Sequence, residues 1–215
     1  MSDAKLRELE RRWRETGAVE DEAAYLLERV RVGDLTRERL ELAAYCGHEG
    51  ARRAVGDVQP GEAETLGAWA SALISRWRDG AIRASEAVAV AVAREWLVAD
   101  HSFAGGRTLS PFVESVRRWQ ACQCDDHRQR VVSQDDDLSS LSQIADQAGA
   151  QRLCFCALAV RAFARASVNR DMDDQGDDLL WAITYGGRVL GERSLAMLRH
   201  TVGHWALEGI RRTPG

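Results

Sequence analysis

The sequence predicts an all-α protein, either an irregular helical bundle or a short, solenoid-like stack of helical pairs, with about ten helices. Two observations favour this fold. Only three of the 215 residues are prolines, and the commonest residue types are strong helix formers. Apolar residues also recur at spacings of three and four along most of the chain, which is the period of an amphipathic helix. The hydrophobic fraction of 45% is that of a folded protein with a sizeable core.

Three glycines divide the segment 20–56 into three short predicted helices: Gly33, Gly47 and Gly56. Glycine accepts the left-handed conformation that ends many helices. The first helix has one apolar face, formed by Ala23, Leu26, Leu27 and Val30. Thr36 is the expected N-cap of the second helix. Because three short helices bury too little apolar surface to fold alone, we expect 20–56 to be an N-terminal module packed on the rest of a single helical domain, residues 1–215.

The same periodicity predicts further helices over residues 3–16, 81–99, 110–119, 138–148, 150–168, 171–185 and 190–212. It also predicts a helix that starts near Pro60, has an apolar face from Leu66 to Trp77 and is broken at Asp79-Gly80. Within 81–99, Val88, Val90 and Val92 alternate with alanines as in a strand, but the segment continues as a helical pattern that is apolar on most sides. Such a helix belongs at the centre of a core. Ser110 and Pro111 supply an N-cap and a first-turn proline to the helix that follows.

Charge and composition argue against several classes of function. A formal net charge of -4 and a pI near 5.8 disfavour a dedicated nucleic-acid-binding protein. Helical nucleic-acid binding through Arg11, Arg12 and Arg14 is therefore the third-ranked hypothesis. No apolar run approaches the roughly 20 residues of a membrane span, and the first residues lack the apolar region of a secretory signal. We expect a cytoplasmic protein, without membrane contact, whose five cysteines are reduced.

Two runs of sequence carry a resemblance to known proteins. The run LLERVRVGDLTRERLELAAYCGHEGARRAV resembles a helical module of uncharacterised bacterial proteins, and RRWQACQCDDH is similar to a second element of the same kind of protein. That resemblance implies no catalytic residue. The alanine-rich helices that end in tryptophan are similar to those of some immunity proteins of bacterial toxin systems. This second resemblance implies a protein that binds and blocks a cognate toxin.

Two cysteine pairs form the most chemically suggestive set, Cys122 and Cys124 with His127, and Cys154 with Cys156. Thiolates and an imidazole would make a tetrahedral zinc site if the two segments met. Residues two apart on a regular helix point about 200° apart, so Cys154 and Cys156 are not expected to chelate one ion. The alternatives are buried core cysteines and a redox switch between the two pairs.

A second metal candidate is the pair His200 and His204, which lie on one face of the last predicted helix. A zinc protease would place its general-base glutamate directly after the first histidine, and Thr201 occupies that position. The HTVGH sequence is therefore not that motif. Ordinary packed or surface histidines are the alternative interpretation.

Aspartates cluster in two segments of the second half of the chain: Asp135, Asp136 and Asp137, then Asp171, Asp173, Asp174, Asp177 and Asp178. The second segment resembles the first half of a calcium loop, but Ala182 stands where the closing glutamate is required. Carboxylates at the positive end of a helix dipole explain both segments. Their shared charge also predicts a surface for a basic partner.

The predicted helical stack, the net negative charge and the absence of a complete catalytic set motivate the first hypothesis. We find no glycine-rich phosphate loop and no nucleophile elbow, so the chain is not expected to be an enzyme. The first hypothesis is a protein–protein interaction protein, an adaptor or immunity-type inhibitor, that presents the aspartates to a basic toxin or enzyme. The alternative is a helical protein that binds zinc through Cys122, Cys124 and His127 or through His200 and His204.

Overall fold

A computed structural model describes residues 2–56, 65–99, 104–169 and 171–208, and within these ranges the chain forms twelve helices and no strand. The helices are α1 (Ser2–Thr16), α2 (Val19–Arg31), α3 (Arg37–Tyr45), α4 (Glu49–Val55), α5 (Leu66–Arg76), α6 (Arg78–Val98), α7 (Ser110–Cys122), α8 (Asp125–Ser133), α9 (Asp135–Gln147), α10 (Gln151–Val168), α11 (Met172–Leu190) and α12 (Arg193–Leu207). The all-α prediction is confirmed. The sequence predicts a turn or the start of a helix at 122–127, and helix α8 begins there. Its extent was not predicted, because it is short and polar and Val131 is its only buried residue.

The chain divides into two compact units, which we describe separately. The terminal unit comprises Met1–Glu62 and Arg199–Gly215, and the central unit comprises Ala63–Leu198. The expectation of a single cooperative domain over 1–215 stays a prediction. Within the described ranges, no helix has the length and apolar character needed to cross a membrane. The predicted extension of the last helix to residue 212 lies partly outside the described residues, and so does the predicted helix start near Pro60. The predicted break at Asp79-Gly80 is wrong, because α5 and α6 are separated at Trp77 and Gly80 is buried within α6.

The predicted three-helix module is present in the terminal unit as α2, α3 and α4. Gly33, Gly47 and Gly56 all have positive φ angles, of 79°, 93° and 81°, as expected of glycines that end helices. Thr36 caps α3, because its hydroxyl accepts the backbone N–H of Arg39 at 3.2 Å. The boundaries predicted from glycine and capping signals are therefore correct.

One part of the predicted apolar face of α2 is wrong. Leu26 is buried at 2% exposure, whereas Leu27 is 43% exposed. Arg29, which was not part of the predicted apolar face, is buried. Its guanidinium donates to the Asp34 carboxylate at 2.6 Å and to the Leu207 carbonyl at 2.7 Å. An arginine can be buried when its charge and its N–H groups are paired in this way.

Arginines also satisfy the end of α12 in the terminal unit. The last carbonyls of a helix have no partner within the helix. Arg29 donates to the Leu207 carbonyl, and Arg39 donates to the Trp205 carbonyl while its guanidinium stacks 4.7 Å from the centre of the Trp205 ring. The second segment of this unit is thus fixed to α2 and α3 by charge-assisted hydrogen bonds.

In the central unit, α6 and α10 supply the core. Val88, Val92 and Trp96 of α6 are fully buried, as is Phe163 of α10. The Trp96 indole N–H donates to the Arg107 carbonyl at 3.0 Å, which satisfies the polar end of the buried ring. The prediction that the alanine and valine helix is central to a core is confirmed for this unit.

Helix α11 approaches α5 and α6 through two glycines. A Cβ added to Gly186 would lie 1.9 Å from Val88 Cγ1, and one added to Gly187 would lie 2.2 Å from Leu66 Cδ2. Both distances are far below van der Waals contact, so neither position accepts a side chain without movement of its neighbour. The Gly-Gly pair therefore allows close helix packing and is not part of a phosphate-binding loop.

We expect Gly186→Ala to destabilise the protein by about 1–2 kcal/mol, because the clash with Val88 outweighs the gain in helix propensity. Gly176→Ala in the same helix is the matched control, since its Cβ would meet Ile74 at an ordinary 3.6 Å. We expect that variant to be more stable by about 0.5–1 kcal/mol. Denaturant unfolding measures both changes, and a stabilising Gly186→Ala would contradict the packing described.

Leu26→Asp should destabilise the terminal unit by at least about 4 kcal/mol, because it removes a buried side chain and buries a carboxylate. Leu27→Asp, one residue later and exposed, should change stability by no more than about 0.5 kcal/mol. Hydrogen exchange read by mass spectrometry also tests the single-domain prediction. That prediction requires α10 to lose protection together with α2 in Leu26→Asp; full protection of α10 would show that the terminal unit unfolds alone.

Candidate functional site

The corner between α7 and α8 brings three predicted metal ligands together. The sulfur atoms of Cys122 and Cys124 lie 2.9 Å apart, and His127 Nδ1 lies 2.8 Å from Cys122 Sγ and 3.1 Å from Cys124 Sγ. Both cysteines are exposed and the histidine is half-buried. Within the described part of the chain, this is the one set of three or more His, Cys, Asp or Glu ligand atoms that lie within 4.8 Å of one another.

The backbone between the two cysteines explains why their side chains meet. Helix α7 ends at Cys122, and Cys124 is the N-cap of α8 with an extended backbone. Gln123, between them, has φ 51° and ψ 26°, and it is the one non-glycine residue with a positive φ in the described ranges. This left-handed residue reverses the direction that successive side chains would follow on a helix.

The two thiols are electrostatically unequal. The hydrogen bond between them raises the pKa of Cys122 and lowers the pKa of Cys124, and a backbone N–H of His127 lowers the pKa of Cys124 further. The pair can therefore lose its first proton from Cys124 while Cys122 remains a donor. A thiolate and an imidazole at one exposed corner can ligate a soft metal ion or react with an oxidant.

Cys154 and Cys156 do not join this corner. They lie near the start of α10, whereas α7 contacts the other end of α10 through the Trp119 indole, which donates to the Ser167 carbonyl at 3.0 Å. Cys154 and Ser167 are separated by about 20 Å of helix. Burial raises the pKa of Cys156 to about 12, so this thiol is unreactive.

The predicted pair on α12 belongs to a cluster of three histidines in the terminal unit. The rings of His200 and His204 lie 4.3 Å apart edge to face, and His48 lies 5.9 Å from His204. His48 also caps α4, because its Nδ1 accepts the Ala51 N–H at 3.3 Å, and its Nε2 lies 3.7 Å from the Glu22 carboxylate. Burial lowers the pKa of His48. The ligand atoms of the three histidines do not all lie within 4.8 Å of one another. Metal binding by His200 and His204 stays a prediction.

The two predicted aspartate segments meet around α10. Arg161 donates two hydrogen bonds to Asp135, at 2.8 and 2.7 Å, and Arg165 lies 3.5 Å from Asp178. Arg161 lowers the pKa of Asp135, whereas burial raises the pKa of Asp178. Asp135 and Asp178 therefore have partners inside the protein, which sequence spacing did not indicate.

The remaining predicted aspartates lie at the starts of α9 and α11. Asp136 and Asp137 are exposed in the first turn of α9, and Asp171 caps α11 by accepting the backbone N–H of Asp173 at 2.9 Å. Because residues 172–190 are helical, the calcium-like spacing is not a calcium loop. The carboxylates occupy the positive ends of the two helix dipoles, as predicted.

Sequence reasoning missed an exposed stripe along α11, which we call the α11 stripe. It consists of residues that share one helix face at spacings of three and four: Asp174, Asp177, Trp181, Tyr185 and Arg188. Trp181 stacks on Tyr185 with ring centres 5.4 Å apart, and Tyr185 stacks on Phe155 of α10 at 5.9 Å. The spacing was visible in the sequence, but nothing there showed that this face points to solvent.

The arginines proposed for nucleic-acid binding are paired with carboxylates. Arg11 bonds to Glu8 and Glu15 at 2.7 and 2.8 Å. Arg12 pairs with Asp21 and Arg14 with Glu10, at 2.7 and 2.6 Å. Phosphate binding would have to compete with each of these ion pairs.

Asp135→Asn should lower the stability at pH 7 by about 1 kcal/mol, a value reduced because the ion pair is partly exposed. The pKa of Asp135 is lowered in the fold, so its contribution is present above the unfolded pKa of about 4 and is lost as pH falls further. The wild-type and variant stabilities should therefore converge in acid.

Asp178→Asn is the matched comparison, because the pKa of Asp178 is raised by burial and its charged form is disfavoured. We expect that variant to be as stable as the wild type or more stable at pH 7, with the difference shrinking as pH falls and the wild-type carboxyl becomes protonated. Denaturant unfolding from about pH 3 to about pH 7, a range that includes the titration of aspartate, measures both trends. If Asp135→Asn and Asp178→Asn lost the same stability at pH 7, the different roles given to the two carboxylates would be wrong.

The chain was compared with protein families, curated proteins and solved structures. No protein-family model, no curated protein and no solved structure matches the chain. The proposals below therefore rest on the geometry of the described residues.

Proposed function

We propose that this chain is a non-enzymatic protein–protein interaction protein that docks a basic protein partner on the α11 stripe. The observation that carries the proposal is the half-exposed Trp181, which extends a stack of aromatic rings next to exposed aspartates on the same helix face. Tryptophan, tyrosine and arginine are the residues that most often dominate binding energy at interfaces.

The aromatic half of the stripe supplies a rigid apolar contact. Trp181 is 50% exposed, yet its ring is held by Tyr185, and Phe155 beneath carries the Arg188 guanidinium 5.0 Å from its centre. A preordered ring loses little side-chain entropy when a partner covers it. The stack is therefore suited to fill a pocket on another protein.

The acidic half of the stripe selects the charge of the partner. Asp174 and Asp177 are exposed, and among the described residues no ion pair joins either one to a basic side chain. Asp173 adds a third exposed carboxylate in the same turn. A partner that presents arginine or lysine here would gain charge complementarity, which increases the association rate and the specificity.

The proposal narrows the predicted set of partner-binding aspartates. Asp135 and Asp178 serve the fold through Arg161 and Arg165, and Asp171 serves as a helix cap. Asp174 and Asp177 are the residues we assign to binding, with Asp136, Asp137 and Asp173 at the rim. An adaptor or an immunity-type inhibitor in the bacterial cytoplasm would use such a surface to cover a basic site on an enzyme or toxin.

The test compares purified full-length variants as baits in cell extract, with bound proteins identified by mass spectrometry. We expect the wild type to retain a protein of net positive charge that Trp181→Ser and Asp174→Arg/Asp177→Arg do not retain. With that protein purified, Trp181→Ser should weaken binding by about 2 kcal/mol, roughly 30-fold in Kd. The double arginine variant should also slow association and reduce its dependence on salt.

Two variants away from the stripe are matched controls. Leu97→Ser removes an apolar side chain of similar exposure, 48%, from α6, and Asp146→Arg reverses an exposed charge near the end of α9. Both should retain the partner. The proposal fails if the wild type retains no basic protein, or if the stripe variants retain the same proteins as the controls.

A further inference from the structure

We propose that Cys122, Cys124 and His127 bind one thiophilic divalent ion, Zn²⁺, in a site with one coordination position open to solvent. This inference is independent of the α11 stripe. It assigns a chemical role to a corner that the proposed interaction does not use.

The backbone turn between Cys122 and Cys124 has an unusual conformation. Gln123 adopts the left-handed conformation without being glycine, a conformation that residues with a Cβ rarely adopt. Backbone strain of this kind persists where the surroundings or a ligand compensate for it. Its effect here is to direct two thiols, which a continuous helix would separate, toward the same imidazole nitrogen.

The donor atoms are close to the separations that a tetrahedral zinc ion requires. Zn–S bonds of about 2.3 Å and Zn–N bonds of about 2.0–2.1 Å place S···S about 3.8 Å and S···N about 3.6 Å apart. The observed separations are 2.9 Å between the sulfurs and 2.8 and 3.1 Å from sulfur to nitrogen. Each pair of atoms must therefore move apart by less than about 1 Å to admit the ion.

The chemistry of the donors selects the class of metal. Two sulfurs and one imidazole nitrogen are soft and borderline ligands, which favour zinc over the hard ions calcium and magnesium. Cys124 is at the N-terminus of α8, where the helix dipole favours negative charge on sulfur. Two thiolates would neutralise the charge of the ion.

Exposure of the corner defines the fourth position. Structural zinc sites are closed by four protein ligands, whereas sites with three protein ligands keep a position for water or another molecule. Among the residues that the structure describes, the set contains three side chains, and both cysteines are exposed. Bound zinc would join the end of α7 to the first turn of α8 and would still accept an external ligand.

The test uses full-length protein purified without a histidine tag and kept reduced. We expect about one equivalent of zinc by elemental analysis, and competition with a chromophoric chelator should give an affinity at least about 100-fold weaker in Cys122→Ser, Cys124→Ser or His127→Gln. Cys154→Ser and His200→Gln, which alter the same residue types elsewhere, should bind as the wild type does. Cobalt in place of zinc should show thiolate charge-transfer absorption, and azide should shift its visible bands at the open position.

The turn itself provides a second test. Gln123→Gly, which relieves the left-handed residue, should retain zinc, whereas Gln123→Ile, which opposes that conformation, should bind at least about 10-fold more weakly. Less than about 0.2 equivalents of zinc in reduced wild-type protein would overturn the site. Equal affinity in the ligand variants, or a Cys122–Cys124 disulfide as the only chemistry found, would overturn it as well. A cobalt spectrum unchanged by azide would contradict the open position.

Discussion

The close approach of α11 to α6 is the constraint on which the central unit depends. Gly186 lies against Val88 with no room for a Cβ, so α11 can rotate very little about its own axis. On a helix with 3.6 residues per turn, Asp177 lies about 180° and Trp181 about 140° from Gly186. The packing that buries the glycine therefore turns the aspartate and the tryptophan toward solvent. The exposed face of aromatic and acidic side chains follows directly from how the core is closed.

Pairing between arginine and carboxylate divides the acidic residues into two groups. Arg161 and Arg165, both on α10, engage Asp135 and Asp178 from two segments that are far apart in sequence. The contact with Asp135 stabilises the start of α9 against α10, whereas burial disfavours the charged form of Asp178, and the neighbouring aspartates of each segment are exposed. The same residue type thus serves packing at some positions and supplies an available negative surface at others. The two segments have similar densities of negative charge in the sequence. Burial and the position of the arginines therefore decide which aspartates are paired and which are exposed.

The α7–α8 corner shows how a short motif depends on its backbone. The chain contains two Cys-x-Cys pairs, and only one forms a cluster. Cys154 and Cys156 lie on a continuous helix, where their thiols diverge, and the pKa of Cys156 is raised by burial. Cys122 and Cys124 flank a left-handed residue, and their sulfurs meet. The Cys-x-Cys motif does not show whether its two thiols meet, because that depends on the φ angle of the residue between the cysteines.

The sequence by itself determined the all-α class, the three-helix module at 20–56 and the role of carboxylates at helix starts, because helix periodicity, glycine termination and capping are local properties. Only the tertiary structure decided which faces are buried. Leu27 is exposed, whereas Arg29 is buried and paired with Asp34. Helix α8 forms although its hydrophobic pattern is weak. The stacking of Trp181 on Tyr185 and Phe155, the pairing of Asp135 with Arg161 and the left-handed Gln123 likewise depend on contacts between helices or on one backbone turn. Spacing along a single helix does not show contacts between helices. Cys122, Cys124 and His127 could therefore be named from their proximity in the sequence, whereas the exposure of the α11 stripe could not be predicted.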